Sequence, residues 1–418
     1  MYIRKVKIRN VRGFKEVDLD FTRPDGSFAG WTVLAGRNGS GKSSLLKILA
    51  YSAIQPPQTL FRLTDIREWL RKGSKHGRAE IECLRDSSAK LRWLDLHQGA
   101  VEFDESPNGP NLSSESDDFL AGYGPYRRLM GSAEGAQSLM AGSDAIARVV
   151  TLFREDAALF ESVNWLREIY LRRLEKGQPW LKLEHSVLAL LNDGLLPDGA
   201  CVEKIDSEGL WVSQQGVRLP LNELSDGFRT TAALVMDMIR NLYQCFGELR
   251  VEKAKDEEGS YLRVLHEGVV LIDEVDLHLH LRWQQRIGFW LKRHFPKIQF
   301  IVASHSPFVC QAADPKGLIR LPAPGEDRPV EHVSEDLYNT VVNGRVDEVV
   351  LTDLFGLETP YSAQAEQLRE RVAELEARLQ RGKATEAEEQ ELEQLQARLP
   401  QAATTAVEQV LRRLMSNV

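Results

Sequence analysis

Four short stretches of this chain combine residue types and spacings suited to phosphate chemistry. Gly36-Arg37-Asn38-Gly39-Ser40-Gly41-Lys42-Ser43 matches G-x-x-x-x-G-K-[ST] at every fixed position, and Ser44 follows it. Glycines let a backbone turn tightly and aim its N–H groups at phosphate oxygens. A helix starting there adds the positive end of its dipole. Lys42 can reach β- and γ-phosphates, and the Ser43 hydroxyl can ligate Mg²⁺. Val269-Val270-Leu271-Ile272-Asp273-Glu274 is an apolar run ending in two carboxylates. Asp273 suits the Mg²⁺ shell, and Glu274 can orient and polarise an attacking water. Ile301-Val302-Ala303-Ser304-His305-Ser306 is a second apolar run with a polar end, where His305 can report the γ-phosphate. Leu224-Ser225-Asp226-Gly227-Phe228 precedes an apolar helical stripe. Ser225 and Gly227 at a helix N-terminus can form another anion site; an ordinary cap by Ser225 or Asp226 is the plainer alternative.

These residues need a scaffold that brings strand ends together. Trp31–Ala35 reads as a buried strand feeding the glycine loop, and Ser43–Ala50 has apolar residues at helical spacing. Val269–Ile272, Arg282–His294 and Ile298–Ala303 read as strand, helix and strand, which predicts a parallel sheet with helices on its faces. In such a sheet the strand C-termini converge on one crevice. Residues 2–8 and 17–21 alternate as a hairpin, and Ala79–Leu84, Leu91–Leu96, Ala100–Phe103 and Phe119–Tyr123 are further strands. Ser106–Asp118 reads as a surface loop and Glu248–Ser260 as a solvated excursion. Ala145–Asp193 is helical, and Val202–Ile205 with Leu210–Val212 is a hairpin.

From about Tyr361 the pattern changes. Leu368, Val372, Leu375 and Leu379 keep a heptad-like spacing, Gly382 breaks it, and Leu392, Leu395 and Leu399 resume it. Val407, Val410, Leu411 and Leu414 form a last stripe. The tail is either a helical hairpin for dimer or partner contact or an amphipathic cap.

The expected fold class is α/β, a P-loop NTPase with a mostly parallel sheet core, an antiparallel β lobe, a helical subdomain and a helical C-terminal tail. A head spans about 1–360, with a first lobe over about 1–118, a helical insert over about 140–195 and a lobe carrying Ser225 and Asp273 over about 196–360; the tail is 361–418.

A net charge of −8 in 418 residues supplies no global field for nucleic acid or anionic lipid. Arg67, Arg71, Lys72, Lys75, His76 and Arg78 form a local basic run, readable as a DNA-backbone patch or as a solvated loop. Cys83, Cys201, Cys245 and Cys310 form no C-x-x-C pair, hence no zinc signature and no disulfide framework. The N-terminus reads as a strand rather than a signal peptide, and no apolar run reaches membrane-spanning length. A cytoplasmic protein without a membrane partner is expected.

The glycine loop, the Leu224–Phe228 signature, Asp273-Glu274 and His305, in this order, resemble the ATP-binding-cassette ATPases. Ile8-Arg9-Asn10-Val11-Arg12-Gly13-Phe14, Ile272-Asp273-Glu274-Val275-Asp276-Leu277-His278-Leu279-His280 and Ala303-Ser304-His305-Ser306-Pro307 resemble the RecF and structural-maintenance-of-chromosomes (SMC) branch. Over about residues 1–320 the chain is similar to the compact ATPases of OLD-like and Septu-like bacterial defence systems.

The resemblance implies ATP and Mg²⁺ as cofactors and hydrolysis of ATP to ADP and phosphate. It implies a homodimer closed head to tail around the nucleotide, with Ser225 and Gly227 of one subunit on the γ-phosphate held by Lys42 of the other. Asp276 and His278 would lie near the seam. It further implies control of a DNA-directed or nuclease partner in phage defence or DNA repair.

Some features depart from that pattern. Asp226 replaces a common glycine, and no glutamine stands out for the Mg²⁺-sensing loop. Tyr123-Gly124-Pro125-Tyr126-Arg127 occupies a lobe-coupling position, with Arg127 expected within reach of phosphate. No long coiled coil interrupts the head, and no D-x-D nuclease constellation follows His305. A transporter ATPase subunit is the alternative that Leu277–His280 and the helical insert disfavour; a non-catalytic ATP-binding scaffold is the one that Glu274 disfavours.

Overall fold

A computed structural model of the chain describes residues 1–54, 63–85, 88–97, 100–105, 118–127, 134–140, 145–196, 199–257 and 259–399. The chain divides into two units, Met1–Gly356 and Leu357–Val418.

The first unit opens with β1 (Tyr2–Val11) and β2 (Phe14–Asp20), followed by β3 (Gly30–Ala35) and helix α1 (Lys42–Ala53). Next come β4 (His76–Arg85), β5 (Ser88–His97), β6 (Ala100–Glu105) and β7 (Leu120–Tyr123). Strands β2-β1-β4-β5-β6 form an antiparallel sheet in that order. In β1 the apolar Ile3, Val6, Ile8 and Val11 are buried while Arg4, Lys7 and Arg9 are not, as a one-sided antiparallel strand requires.

A helical layer follows: α2 (Glu134–Met140), α3 (Val150–Phe153), α4 (Phe160–Lys176) and α5 (Gln178–Asn192). Strands β8 (Cys201–Asp206), β9 (Gly209–Gln214) and β10 (Val217–Pro220) make a three-stranded sheet, one strand more than the hairpin read from sequence. Helix α6 (Asp226–Phe246) leads into β11 (Val251–Asp256) and β12 (Gly259–Val264). The charged stretch near 248–260, read from sequence as a solvated excursion, is largely part of a two-stranded ribbon. Its cross-strand ion pair between Glu252 and Arg263 keeps the charges at the surface while the backbone pairs.

The central sheet is built from β13 (Gly268–Ile272), α7 (Leu281–His294), β14 (Ile298–Ser304), α8 (Pro307–Cys310), β15 (Leu318–Arg320) and β16 (Glu331–His332), with α9 (Glu335–Asn343) and α10 (Val346–Val350) beyond it. Its order is β16-β15-β3-β14-β13-β7, parallel except at the β16 edge. Every residue of β13 and β14 is buried, which is why both read as continuous apolar runs. One polar exception joins the sheets. Gln299, fully buried in β14, accepts from the Ile3 N–H at 2.8 Å and donates to the Ile3 carbonyl at 2.8 Å.

In the second unit, α11 (Ala363–Gln380) and α12 (Glu386–Arg398) form a helical hairpin. Ser362 caps α11, and Thr385 with Glu388 makes a capping box on α12. Val372, Leu375 and Leu392 are buried between them, and Arg371 reaches Glu391 through two hydrogen bonds of 2.9 Å. The predicted stripe Val407–Leu414 and nearly all of the predicted loop Ser106–Asp118 lie outside the described residues. Among the described residues no helix is long and apolar enough to cross a membrane.

Candidate functional site

Strand β3 is flanked by β14 and β15, so its C-terminal end delivers the 36–43 loop to the sheet edge where β13 and β14 also end. Gly41 has φ 96° and precedes α1. A Cβ there would lie 2.7 Å from Cζ of Phe14, so both the turn and the close approach demand glycine. The N-terminus of α1 has no side-chain cap and no acidic residue in its first turn. Its N–H groups are thus left for a ligand. The Lys42 ammonium folds back on the loop, donating to the carbonyls of Gly36 at 2.8 Å and Arg37 at 3.2 Å. Burial pulls its pKa down to about 8. The Ser40 hydroxyl is buried without a partner. Asn38 and Gly39 are exposed on the loop.

At the end of β13, Asp273 is buried, accepts from Ser43, and keeps Oδ1 without a partner. Burial pushes its carboxyl upward, with Ser43 the main opposing influence. Among the described residues, no group of three His, Cys, Asp or Glu side chains can hold a metal unaided. The donor set Ser43 and Asp273 instead fits a hard cation that takes its other ligands from phosphate and water. Glu274 is half-buried, at φ 44°; burial raises its carboxyl, and Asp273 and Asp276 add to the effect. His305 is half-buried beyond β14, its basicity lowered by burial and by Lys42.

The structure therefore gathers Gly36–Ser44, Asp273, Glu274 and His305 at one end of the parallel sheet. Ser225 and Gly227 sit elsewhere, at the start of α6. Ser225 is the N-cap but makes no side-chain cap, which leaves its hydroxyl outside the helix's own hydrogen bonding. Asp226 points outward and pairs with Arg229. A Cβ on Gly227 would lie 2.6 Å from the His278 carbonyl, so the glycine lets α6 touch the turn after Glu274. Ser225, Gly227, His278, His280 and Trp283 border an open cleft of about 820 Å³. No residue of the 36–44 loop lines that cleft.

One expectation is corrected. Arg127 does not face the phosphate loop. Its guanidinium is buried and donates to the carbonyls of Gly124 at 2.9 Å, Asp273 at 2.8 Å, Glu274 at 3.0 Å and Val275 at 3.4 Å. The reason is topological: β7 lies beside β13, so the residues after β7 meet the turn after β13.

Other contacts escaped the sequence. Arg12 donates to Ser44 Oγ at 3.3 Å and lies 4.3 Å over the Trp69 ring. The Arg37 side chain donates to the Gly356 carbonyl at 2.6 Å. Ser304 Oγ donates to Asp276 at 2.5 Å, and Ser306 bonds Ser304 and Gln284, which fixes both neighbours of His305. The R-G-F and A-S-H-S-P motifs were the available signals for the first and last of these. In the basic run, Arg67 pairs with Asp65, Arg78 with Glu80 and Asp95, and His76 with Asp95.

Two family models match the chain. One described as "AAA domain, putative AbiEii toxin, Type IV TA system" covers residues 141–311, and one described as "AAA ATPase domain" covers residues 1–53. The chain is 29% identical over 312 residues to Septu protein PtuA of Bacillus mycoides (strain KBAB4), covering 73% of this chain and 38% of that one. It is 29% identical over 382 residues to Septu protein PtuA of Bacillus thuringiensis, covering 86% and 85%. It thus spans well under half of the first relative and most of the second. An SMC head solved bound to the C-winged helix domain of ScpA superposes with a TM-score of 0.47 at 14% identity, covering 80% of this chain and 97% of that one. With the glycine loop and the paired carboxylates, the domain models and the relatives support an ATPase, similar over most of its length to the Septu PtuA proteins.

Proposed function

We propose that this chain is an ATP-driven switch that closes head to tail with a second copy around two ATP molecules and reopens on hydrolysis. The 36–44 loop of one copy would hold the triphosphate, and Ser225 and Gly227 of the other would complete its cradle. A ligand shared by two surfaces stabilises only the closed state, so its cleavage releases that state. Ser43 and Asp273 would hold Mg²⁺, which would neutralise phosphate charge when bound. Lys42 would leave the loop carbonyls for the γ-phosphate. Glu274 would take its place as the base that orients water, and His305, neutral beside Lys42, would donate to the γ-phosphate.

The observation that carries this reading is the state of these groups in a single protomer: an orphaned Asp273 oxygen, an uncapped α1 N-terminus and, apart from them, an uncommitted Ser225. Each half lacks what the other supplies. The similarity to Septu proteins supports a place in phage defence, in the cytoplasm, with a nuclease or other DNA-directed effector as the controlled partner.

The direct test is Glu274→Gln with ATP and Mg²⁺. The variant is expected to accumulate dimers by light scattering, while wild type with ADP stays monomeric at the nucleotide interface. Turnover at the wild-type rate, or dimers indifferent to nucleotide, would remove the proposal.

A further inference from the structure

The corrected place of Arg127 has a consequence for catalysis. Its side chain is 2% exposed, and its two terminal nitrogens spread over four carbonyls, three of them on the consecutive residues 273–275. Those residues form the turn from which the Glu274 carboxylate projects. Glu274 has φ 44° there, a left-handed conformation that glutamate rarely adopts and that surroundings must hold in place. Three backbone bonds help: Asp273 N–H donates to the Tyr123 carbonyl at 2.8 Å, Val275 N–H to that of Ala303 at 3.1 Å, and Leu277 N–H to that of Glu274 at 3.0 Å. The Arg127 fork adds a side-chain clamp to them, by drawing the carbonyls of Asp273, Glu274 and Val275 toward one cation.

Arg127 is in turn held firmly. A Cβ on Gly124 would lie 2.0 Å from the Thr151 carbonyl, so the strand-to-arginine segment is pressed against α3. A small void bordered by Arg127, Thr230, Thr231, Leu234 and Val275 places the first turns of α6 on the other side.

We infer that Arg127 is a positioning residue for ATP hydrolysis: its guanidinium fork sets the 273–275 turn and thereby the direction of the Glu274 carboxylate. This rests on the role proposed above for Glu274. Arginine suits the task because a planar fork can serve several fixed acceptors at once, whereas a lysine is a single point. The group acts through the turn, because its hydrogen bonds go to backbone carbonyls. Its loss lowers the rate of the chemical step and leaves ATP affinity in place, because the phosphate loop is built on β3 and α1.

The test uses the full chain with Arg127→Lys and Arg127→Met, alone and combined with Glu274→Gln. Turnover, fluorescent ATP-analogue affinity and melting temperature are measured for each. Arg127→Lys should lower kcat about 10–100-fold, the scale of lost outer-layer contacts, with ATP affinity within about 3-fold of wild type. In the Glu274→Gln background it should add nothing to the loss, a result that general destabilisation would not give. Unchanged kcat, a parallel fall in kcat and affinity, or a further loss in the Glu274→Gln background would each overturn the inference. If Arg127→Met does not fold, Arg127→Lys carries the test; failure of both to fold makes Arg127 a structural staple and overturns it as well. Full turnover in Glu274→Gln would instead refute the underlying reading, and this inference with it. An inactive Glu274→Gln beside a fully active Arg127→Lys would sink this inference alone.

Discussion

Replacing Gly41 by alanine separates two demands that the glycine loop makes on one position. The first is conformational: φ is 96°, and an L-residue held at positive φ loses about 1–2 kcal/mol. The second is steric. The new Cβ would sit 2.7 Å from Phe14 Cζ, about 1 Å inside ordinary carbon contact. Phe14 is buried at the start of β2 and cannot swing into solvent, so this overpacking adds about 1–3 kcal/mol. Gly41→Ala should therefore cost about 2–5 kcal/mol by urea denaturation without nucleotide. Phe14→Leu removes the offending ring tip. In that background Gly41→Ala should retain only its conformational part, giving a favourable coupling of about 1–3 kcal/mol in a double-mutant cycle. If the two substitutions add within about 0.5 kcal/mol, Phe14 does not press on the loop and the reasoning fails.

Gln299→Leu should destabilise by about 2–4 kcal/mol in chemical denaturation, since it strands the Ile3 N–H and carbonyl in a buried site; a cost below about 1 kcal/mol would mean water replaces the amide there. Lys42→Ala should lose the ATP-induced rise in melting temperature, and an undiminished rise would place nucleotide elsewhere. His266 is stacked 4.4 Å from Phe246, and burial lowers its pKa below the ordinary value of 6.5. Above pH 6.5 both states are neutral there. Below it the unfolded chain binds the proton first, so stability falls as pH drops toward the folded value. The melting temperature should decline from pH 7 to pH 5, and His266→Phe should flatten that decline; an identical slope would clear His266 of any part in it.

The pieces legible in the sequence are those whose chemistry is contiguous. Trp31–Ala35 could be read as a buried strand because both its faces are covered, and Val269–Ile272 for the same reason. The heptad spacing around Leu375 and Leu392 marked the α11–α12 hairpin, and Gly382 at φ 64° marked its break. In the 248–260 stretch charge density signalled exposure but carried no sign of the strand pairing found there. Strand β10 was hidden by its short, half-polar sequence, and Arg127 was misassigned because its place came from the resemblance, which does not say that β7 lies beside β13.

By itself the sequence determined that this chain carries a phosphate-binding loop and a pair of carboxylates at a strand end. A turn of eight residues brings its own glycines, lysine and serine together wherever it folds. Only the tertiary structure decided which distant groups hold them. Arg127 meets Asp273 across 146 residues, and Gln299 meets Ile3 across 296. Such pairings depend on which strands lie side by side, and hydrophobic patterning sets which face of a strand is buried without naming its neighbour.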